Sequence, residues 1–187
     1  VHDQRGLGLT SIPPAPYEMA DYAADALGLL DHVGWDSCRV AGISFGGMVA
    51  QELAVTAPER VERLALLCTS PGGAGGSSYP LHQLADLSVD ERIAAMPQVV
   101  DTRFTPDYVA THRGAQMVVE VIAAGERRTK DDETLRGELA QLGARRGHDV
   151  WERLHRITCP TFVGCGRFDG IAPPANGEAI ASRVPNA

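Results

Sequence analysis

The sequence predicts an α/β fold with a mostly parallel sheet, flanking helices and one helical insertion. Helical and strand-like patterns alternate over residues 1–70, which is typical of parallel strands joined by crossover helices. The strand signal vanishes over residues 71–154 and returns over residues 155–187. We therefore expect one core built from 1–70 and 155–187, interrupted by a helical block at 71–154.

The first part of the core contains two predicted helix–strand pairs. Apolar residues at helical spacing predict a helix over 19–33, and Gly34 follows as a residue suited to the C-terminal end of that helix. A short apolar run predicts a strand at Cys38–Ile43. A second helix is predicted over 45–57 and a buried strand over 61–68. This close alternation favours neighbouring parallel strands.

Several start signals support helices within the block at 71–154. Ser88 and Glu91 have the spacing of a capping box, in which each side chain binds the backbone N–H of the other residue. Thr105 followed by Pro106 is typical of an N-cap with proline at the first helical position. A further helix is predicted over 130–144.

Composition excludes several classes of function. The net charge of −7 gives no general attraction to nucleic acid or to anionic membranes, and no apolar stretch is long enough to span a bilayer. The four cysteines are widely spaced and no signal peptide is visible, so we expect a reduced, cytoplasmic protein. The histidines have no metal-ligand spacing, so no metal site is expected.

The chemistry is concentrated in residues 42–46, which match G-x-S-x-G with Ser44 at the centre. The motif lies between a predicted strand and a predicted helix, where a nucleophile elbow would place its serine. Such a turn forces the serine into a strained conformation with positive φ. Side chains at 42 and 46 would then collide, so both positions should be small. The Phe45 N–H at the helix start could stabilise an oxyanion.

A serine nucleophile needs a base and a carboxylate that orients the base. A strand predicted at 160–165 and a helix predicted at 175–183 flank Asp169, which makes it the candidate acid. The alternative interpretation is that Asp169 only caps the next helix from a turn.

No histidine follows Asp169, although in this type of fold the order along the chain is Ser, acid, His. We expect His148 and His155 to lie on the surface, where they would reach Ser44 only in an unusual topology. The base is therefore expected beyond Ala187. The six histidines of the chain are His2, His32, His82, His112, His148 and His155.

These residues resemble the α/β-hydrolase superfamily over nearly the whole chain outside the helical block. Residues 3–10 are similar to its D-x-R-G-x-G-x-S turn, with Thr10 in place of the usual serine, and residues 166–174 are similar to its acid loop. The resemblance implies Ser44 as nucleophile, Asp169 as acid and Phe45 N–H as one oxyanion donor. It also implies that the second donor lies before Val1, so that the fold is incomplete at both ends.

Among subfamilies, the sequence resembles 3-oxoadipate enol-lactonase-like esterases and lactonases. The resemblance implies hydrolysis of a small-molecule ester or lactone through an acyl-enzyme, without a cofactor, beneath a helical cap formed by 71–154. C–C bond hydrolases, thioesterases and haloperoxidase-type members share the same motifs. A hydrolase-fold protein that binds a ligand without turnover is a further alternative. The 187-residue chain itself is expected to be inactive because it lacks the histidine.

Overall fold

A computed structural model describes residues 1–187 and contains seven α-helices and a three-stranded sheet. The strands are β1 (Cys38–Ile43), β2 (Val61–Leu67) and β3 (Thr161–Gly164). The helices are α1 (Met19–His32), α2 (Phe45–Thr56), α3 (Val89–Val100), α4 (Pro106–Thr111), α5 (Arg113–Glu126), α6 (Asp132–Arg146) and α7 (Pro174–Arg183). None of these helices combines the length and the apolar character needed to cross a bilayer.

The sheet has the order β1-β2-β3, and both pairs of neighbours are parallel. Ile43 pairs with Leu67, and Leu67 pairs with Gly164, so the carboxyl ends of all three strands lie at one edge. The predicted parallel α/β architecture is confirmed. Chain segments that leave the three strands therefore emerge side by side.

The apolar core centres on α2, which is buried continuously from Gly47 to Val55. Although it carries Gln51 and Glu52, α2 is buried on every side, and it packs against α1, β1 and β2. Leu53 joins one cluster with Leu66 of β2, Leu154 and Ile180 of α7. Burying each of these side chains contributes about 1.5–3 kcal/mol, which couples the two predicted parts of the core.

All residues between β2 and β3 lack a regular strand, although these two strands are neighbours in the sheet. The segment leaves and returns at one place, because Gly72 and Asp149 form an isolated antiparallel bridge and Val150 N donates to Pro71 O at 2.9 Å. Farther along, α6 packs on the first part of the chain. Gly137 has no room for a side chain, because a Cβ atom there would overlap the backbone of Gly6, and a Cβ atom at Gly6 would lie 2.9 Å from Tyr17 Cε2.

Local start signals predicted the helices of this block well. Glu91 N donates to Ser88 Oγ and Ser88 N donates to a Glu91 carboxylate oxygen, as the capping box requires. Thr105 caps α4 as predicted. Helix α6 begins two residues later than predicted because the Asp131 carboxylate caps it, accepting from Thr134 N at 2.7 Å.

One helix, α5, has no individual sequence prediction. It begins without a capping side chain, and Ala115 is its only buried residue. Its apolar side chains Met117 and Val121 are exposed, whereas the less exposed residues Ala115, Val119 and Ile122 recur at helical spacing on one face.

An ion pair connects α2 to the segment that precedes β3. The Glu52 carboxylate is buried, and both of its oxygens accept from the Arg153 guanidinium, at 2.7 and 2.8 Å. Such a two-point contact is strong, and removing one member leaves a buried charge without a partner.

We expect Arg153→Ala to lower the free energy of unfolding by about 2 kcal/mol, because Arg153 is partly exposed and water compensates some of the loss. Lys130→Ala is the matched control, since the pair of Lys130 with Glu138 lies at the surface and contributes less than about 1 kcal/mol. Urea denaturation of both variants measures the difference. Equal losses in the two variants would contradict the structural role of the Glu52 pair.

Candidate functional site

Ser44 lies between β1 and α2 in a backbone conformation that L-residues rarely adopt, with φ 51° and ψ −119°. Such a conformation costs about 1–3 kcal/mol and persists only where the surroundings fix it. Two hydrogen bonds from the end of β2 do so here. Ser44 N donates to Leu67 O at 2.9 Å, and Thr69 Oγ1 donates to Ser44 O at 2.9 Å. The sharp turn predicted at Ser44 is therefore present.

Of the two glycines predicted to be required around Ser44, one is confirmed and the other is not. A side chain at Gly42 would collide with the backbone of Gly46 and Gly47, so Gly42 must be glycine. A Cβ atom at Gly46 meets nothing within 4 Å. The prediction that a side chain at position 46 would collide is therefore wrong. The second tight position is Gly47, where a Cβ atom would lie 2.6 Å from Thr69 Cβ.

The Ser44 side chain is half-buried and its hydroxyl has no hydrogen-bond partner within the protein. The next residue, Phe45, is the first residue of α2, so its N–H has no acceptor within the helix. The Phe45 ring is fixed edge-to-face against Tyr22, with 4.9 Å between ring centroids. A free hydroxyl and a free N–H therefore stand together at the positive end of a helix.

Asp169 lies in the turn after β3 and is half-buried. One carboxylate oxygen, Oδ1, accepts from the N–H groups of Ile171 and Ala172, each at 2.8 Å. Asp169 is thus a turn aspartate, as the alternative interpretation from the sequence expects, but it does not cap α7, whose N-cap is Pro173 without a side-chain hydrogen bond. The other oxygen, Oδ2, has no partner in the protein and is available to a further donor.

Ser44 and Asp169 lie beyond the same edge of the sheet, since one follows β1 and the other follows β3. The strand between them links the two turns. Its Leu67 O binds Ser44 N, and the following Cys68 N donates to Gly164 O at 2.8 Å. The carboxylate and the serine hydroxyl do not hydrogen-bond to each other.

None of the six histidine rings hydrogen-bonds to Ser44 or Asp169. His155 is exposed, as predicted, but His148 is buried with only 6% of its surface accessible, so that prediction is wrong. His148 Nε2 lies 3.1 Å from Ser70 O, and Nδ1 has no partner. Burial is the main cause that lowers the pKa of His148 to about 4, so the ring is neutral at pH 7.

A cavity of about 910 Å³ does not include the candidate residues in its walls. It lies between the segment 15–20 and α6, and Glu52 and Arg153 also line it. The candidate site at the Ser44 turn therefore lies outside this cavity.

Residues 1–187 match the sequence model of the alpha/beta hydrolase fold family. The chain belongs to this family. A solved relative agrees: the enol-lactonase from Burkholderia xenovorans LB400 is 26% identical and superposes with a TM-score of 0.76, covering 99% of this chain and 68% of that one. The resemblance drawn from the sequence is confirmed, and so is the α/β-hydrolase fold.

Two curated relatives of this α/β-hydrolase chain are longer than the chain itself. It is 27% identical to 3-oxoadipate enol-lactonase 2 of Acinetobacter baylyi over 194 residues, which covers 98% of the chain and 66% of that protein. It is 26% identical to the poly(3-hydroxyalkanoate) depolymerase of Ectopseudomonas oleovorans, with 99% and 63% covered. The chain thus spans 66% and 63% of the length of these relatives.

The glycines around Ser44 allow a matched test. We expect Gly47→Ala to destabilise the fold by about 2 kcal/mol, because the new methyl group overlaps Thr69 and disturbs the bond from Thr69 to Ser44 O. Gly46→Ala should be neutral or stabilising by up to about 1 kcal/mol, since it has free space and alanine favours a helix. Thermal unfolding of both variants measures this order, and a reversed order would contradict it.

Because His148 is buried, we expect the protein to lose stability in acid. Its folded pKa, about 4, is below the ordinary value of 6.5, so the unfolded chain binds the proton more readily. The contribution of the neutral ring to the free energy of unfolding is complete above pH 6.5. It falls by about 3 kcal/mol as the pH drops towards 4. We expect His148→Gln to remove this part of the pH dependence and His155→Gln to retain it. Urea denaturation across this pH range measures the effect, and identical profiles would contradict it.

Proposed function

We propose that the protein is a serine hydrolase that acts on a carboxylic ester or lactone through an acyl-enzyme. The observation that carries the proposal is the conformation of Ser44, a strained non-glycine residue at a sharp strand-to-helix turn with an unbonded hydroxyl. A nucleophile elbow presents its serine in this way. The names of two relatives, a 3-oxoadipate enol-lactonase and a poly(3-hydroxyalkanoate) depolymerase, support an ester or lactone as the bond that is cleaved.

In the proposed reaction, Ser44 Oγ attacks the carbonyl carbon and loses its proton to a base. The carbonyl oxygen becomes negative, and the Phe45 N–H at the start of α2 donates to it. Collapse of this intermediate breaks the bond to the leaving alcohol, which takes up the proton from the base. Water then attacks the acyl group by the same steps and frees Ser44.

We assign Asp169 as the acid that orients the base. Its Oδ1 is held by two backbone N–H groups, which fixes the direction of the carboxylate, and its Oδ2 is free to accept from an imidazole. No histidine of this chain contacts either Ser44 or Asp169. We propose that the base is a histidine of the complete protein beyond Ala187, in keeping with the greater length of the curated relatives.

We propose that residues 71–154 form a cap that selects the substrate. The block enters the fold after β2 and returns before β3, beside the strand ends that carry Ser44 and Asp169.

The four cysteines are free thiols, which supports a cytoplasmic location, where disulfides are rare.

The test uses the product of the complete reading frame that encodes this chain. A fluorophosphonate probe should label it, and mass spectrometry should locate the adduct on Ser44. We expect Ser44→Ala to abolish labelling and Asp169→Asn to slow it by about 10⁴-fold, since the aspartate of a triad controls the state of the histidine.

Glu120→Gln serves as the control, because it removes an exposed carboxylate far along the helical block and should label at the wild-type rate. If a folded protein leaves Ser44 unlabelled, the hydrolase proposal fails. The alternative, a ligand-binding protein without turnover, would then account for the fold.

A further inference from the structure

A second, smaller cavity of about 190 Å³ lies between the end of β2 and the C-terminal end of α6. Its walls include Ser70, Arg145 and His148, and they contain two arginines and two histidines but no aspartate or glutamate. The cavity is therefore a polar space with a positive lining.

Arg145 is the main charge in this cavity and is only 9% exposed. Its Nη1 donates to Tyr79 O at 2.8 Å, whereas Nη2 is buried and has no partner. No carboxylate pairs with the guanidinium, and burial lowers its pKa. The partial negative charge at the end of α6 offsets part of this cost but leaves Nη2 without an acceptor. A buried charge without a counter-ion is normally avoided.

His148 also lines this cavity, and its ring carries a second unsatisfied atom. Because Ser70 O can only accept, the proton of the neutral ring lies on Nε2, and Nδ1 carries a lone pair. This Nδ1 is buried without a donor. The nearby acids are engaged elsewhere, since Glu52 binds Arg153 and Asp149 accepts from Trp151 N.

We infer that this cavity is a binding site for a small oxyanion that also carries a hydroxyl group, for which hydrogen phosphate is the simplest example. An anionic oxygen accepts from Arg145 Nη2, and the hydroxyl of the same ligand donates to His148 Nδ1. A bound water could occupy both positions, but it would leave the charge of Arg145 uncompensated. The inference does not depend on the proposed function, because it uses neither Ser44 nor Asp169.

The experiment is isothermal titration calorimetry with inorganic phosphate at pH 7.5 and constant ionic strength. The protein is the 187-residue chain that carries the substitution Ser44→Ala. We expect saturable binding with one site. Sulfate is the matched probe, because it is also a tetrahedral anion with two negative charges but has no hydroxyl group at this pH. Its affinity should be at least fivefold weaker.

One arginine inside the cavity and one outside it provide matched variants. Arg145→Met should weaken phosphate binding at least tenfold, because it removes the charge-assisted donor. Arg128→Met removes the same charge from an exposed position outside the cavity walls, and should change the affinity less than threefold. Circular dichroism confirms that both variants are folded.

Absence of saturable phosphate binding to the parent chain would overturn the inference and leave water as the occupant of the cavity. Equal losses in the two arginine variants would also overturn it, because general surface charge would then account for the binding. Equal affinities for sulfate and phosphate would overturn the part assigned to His148.

Discussion

The turn at Ser44 is fixed by the end of the neighbouring strand, and the candidate site depends on that constraint. The residue is strained, yet its N–H and its carbonyl are both held from β2, through Leu67 and Thr69. Gly47 makes this possible because it lets Thr69 approach the first turn of α2. The direction of the serine hydroxyl is thus a property of how α2 packs on β2, and not of the motif alone.

Helix α2 transmits this constraint to the rest of the molecule. Its buried Gln51 amide donates to Gly47 O and to Ser70 O, which ties the first turn of the helix to the chain beyond β2. Its Glu52 holds Arg153, and Leu53 lies in the cluster shared with α7. The two parts of the core and the base of the helical block therefore meet on one element.

Local signals in the sequence predicted most of the fold. Strand β1 has the predicted bounds, and α2, α6 and α7 begin or end within two residues of prediction, because caps, glycines and prolines act on adjacent residues. The G-x-S-x-G pattern likewise predicted the turn at Ser44. Roles that depend on distant residues escaped prediction, since Gly47 is constrained by Thr69 and His148 is buried against Ser70.

The bridge between Gly72 and Asp149 fastens the entrance of the helical block to its exit. An insertion whose two ends meet at one point imposes a single distance requirement on its host. Any arrangement of helices with that separation between its ends meets the requirement, whatever its length. The sequences of the sheet and of the helical block can therefore diverge at different rates. One sheet that carries the serine can accept many different helical insertions.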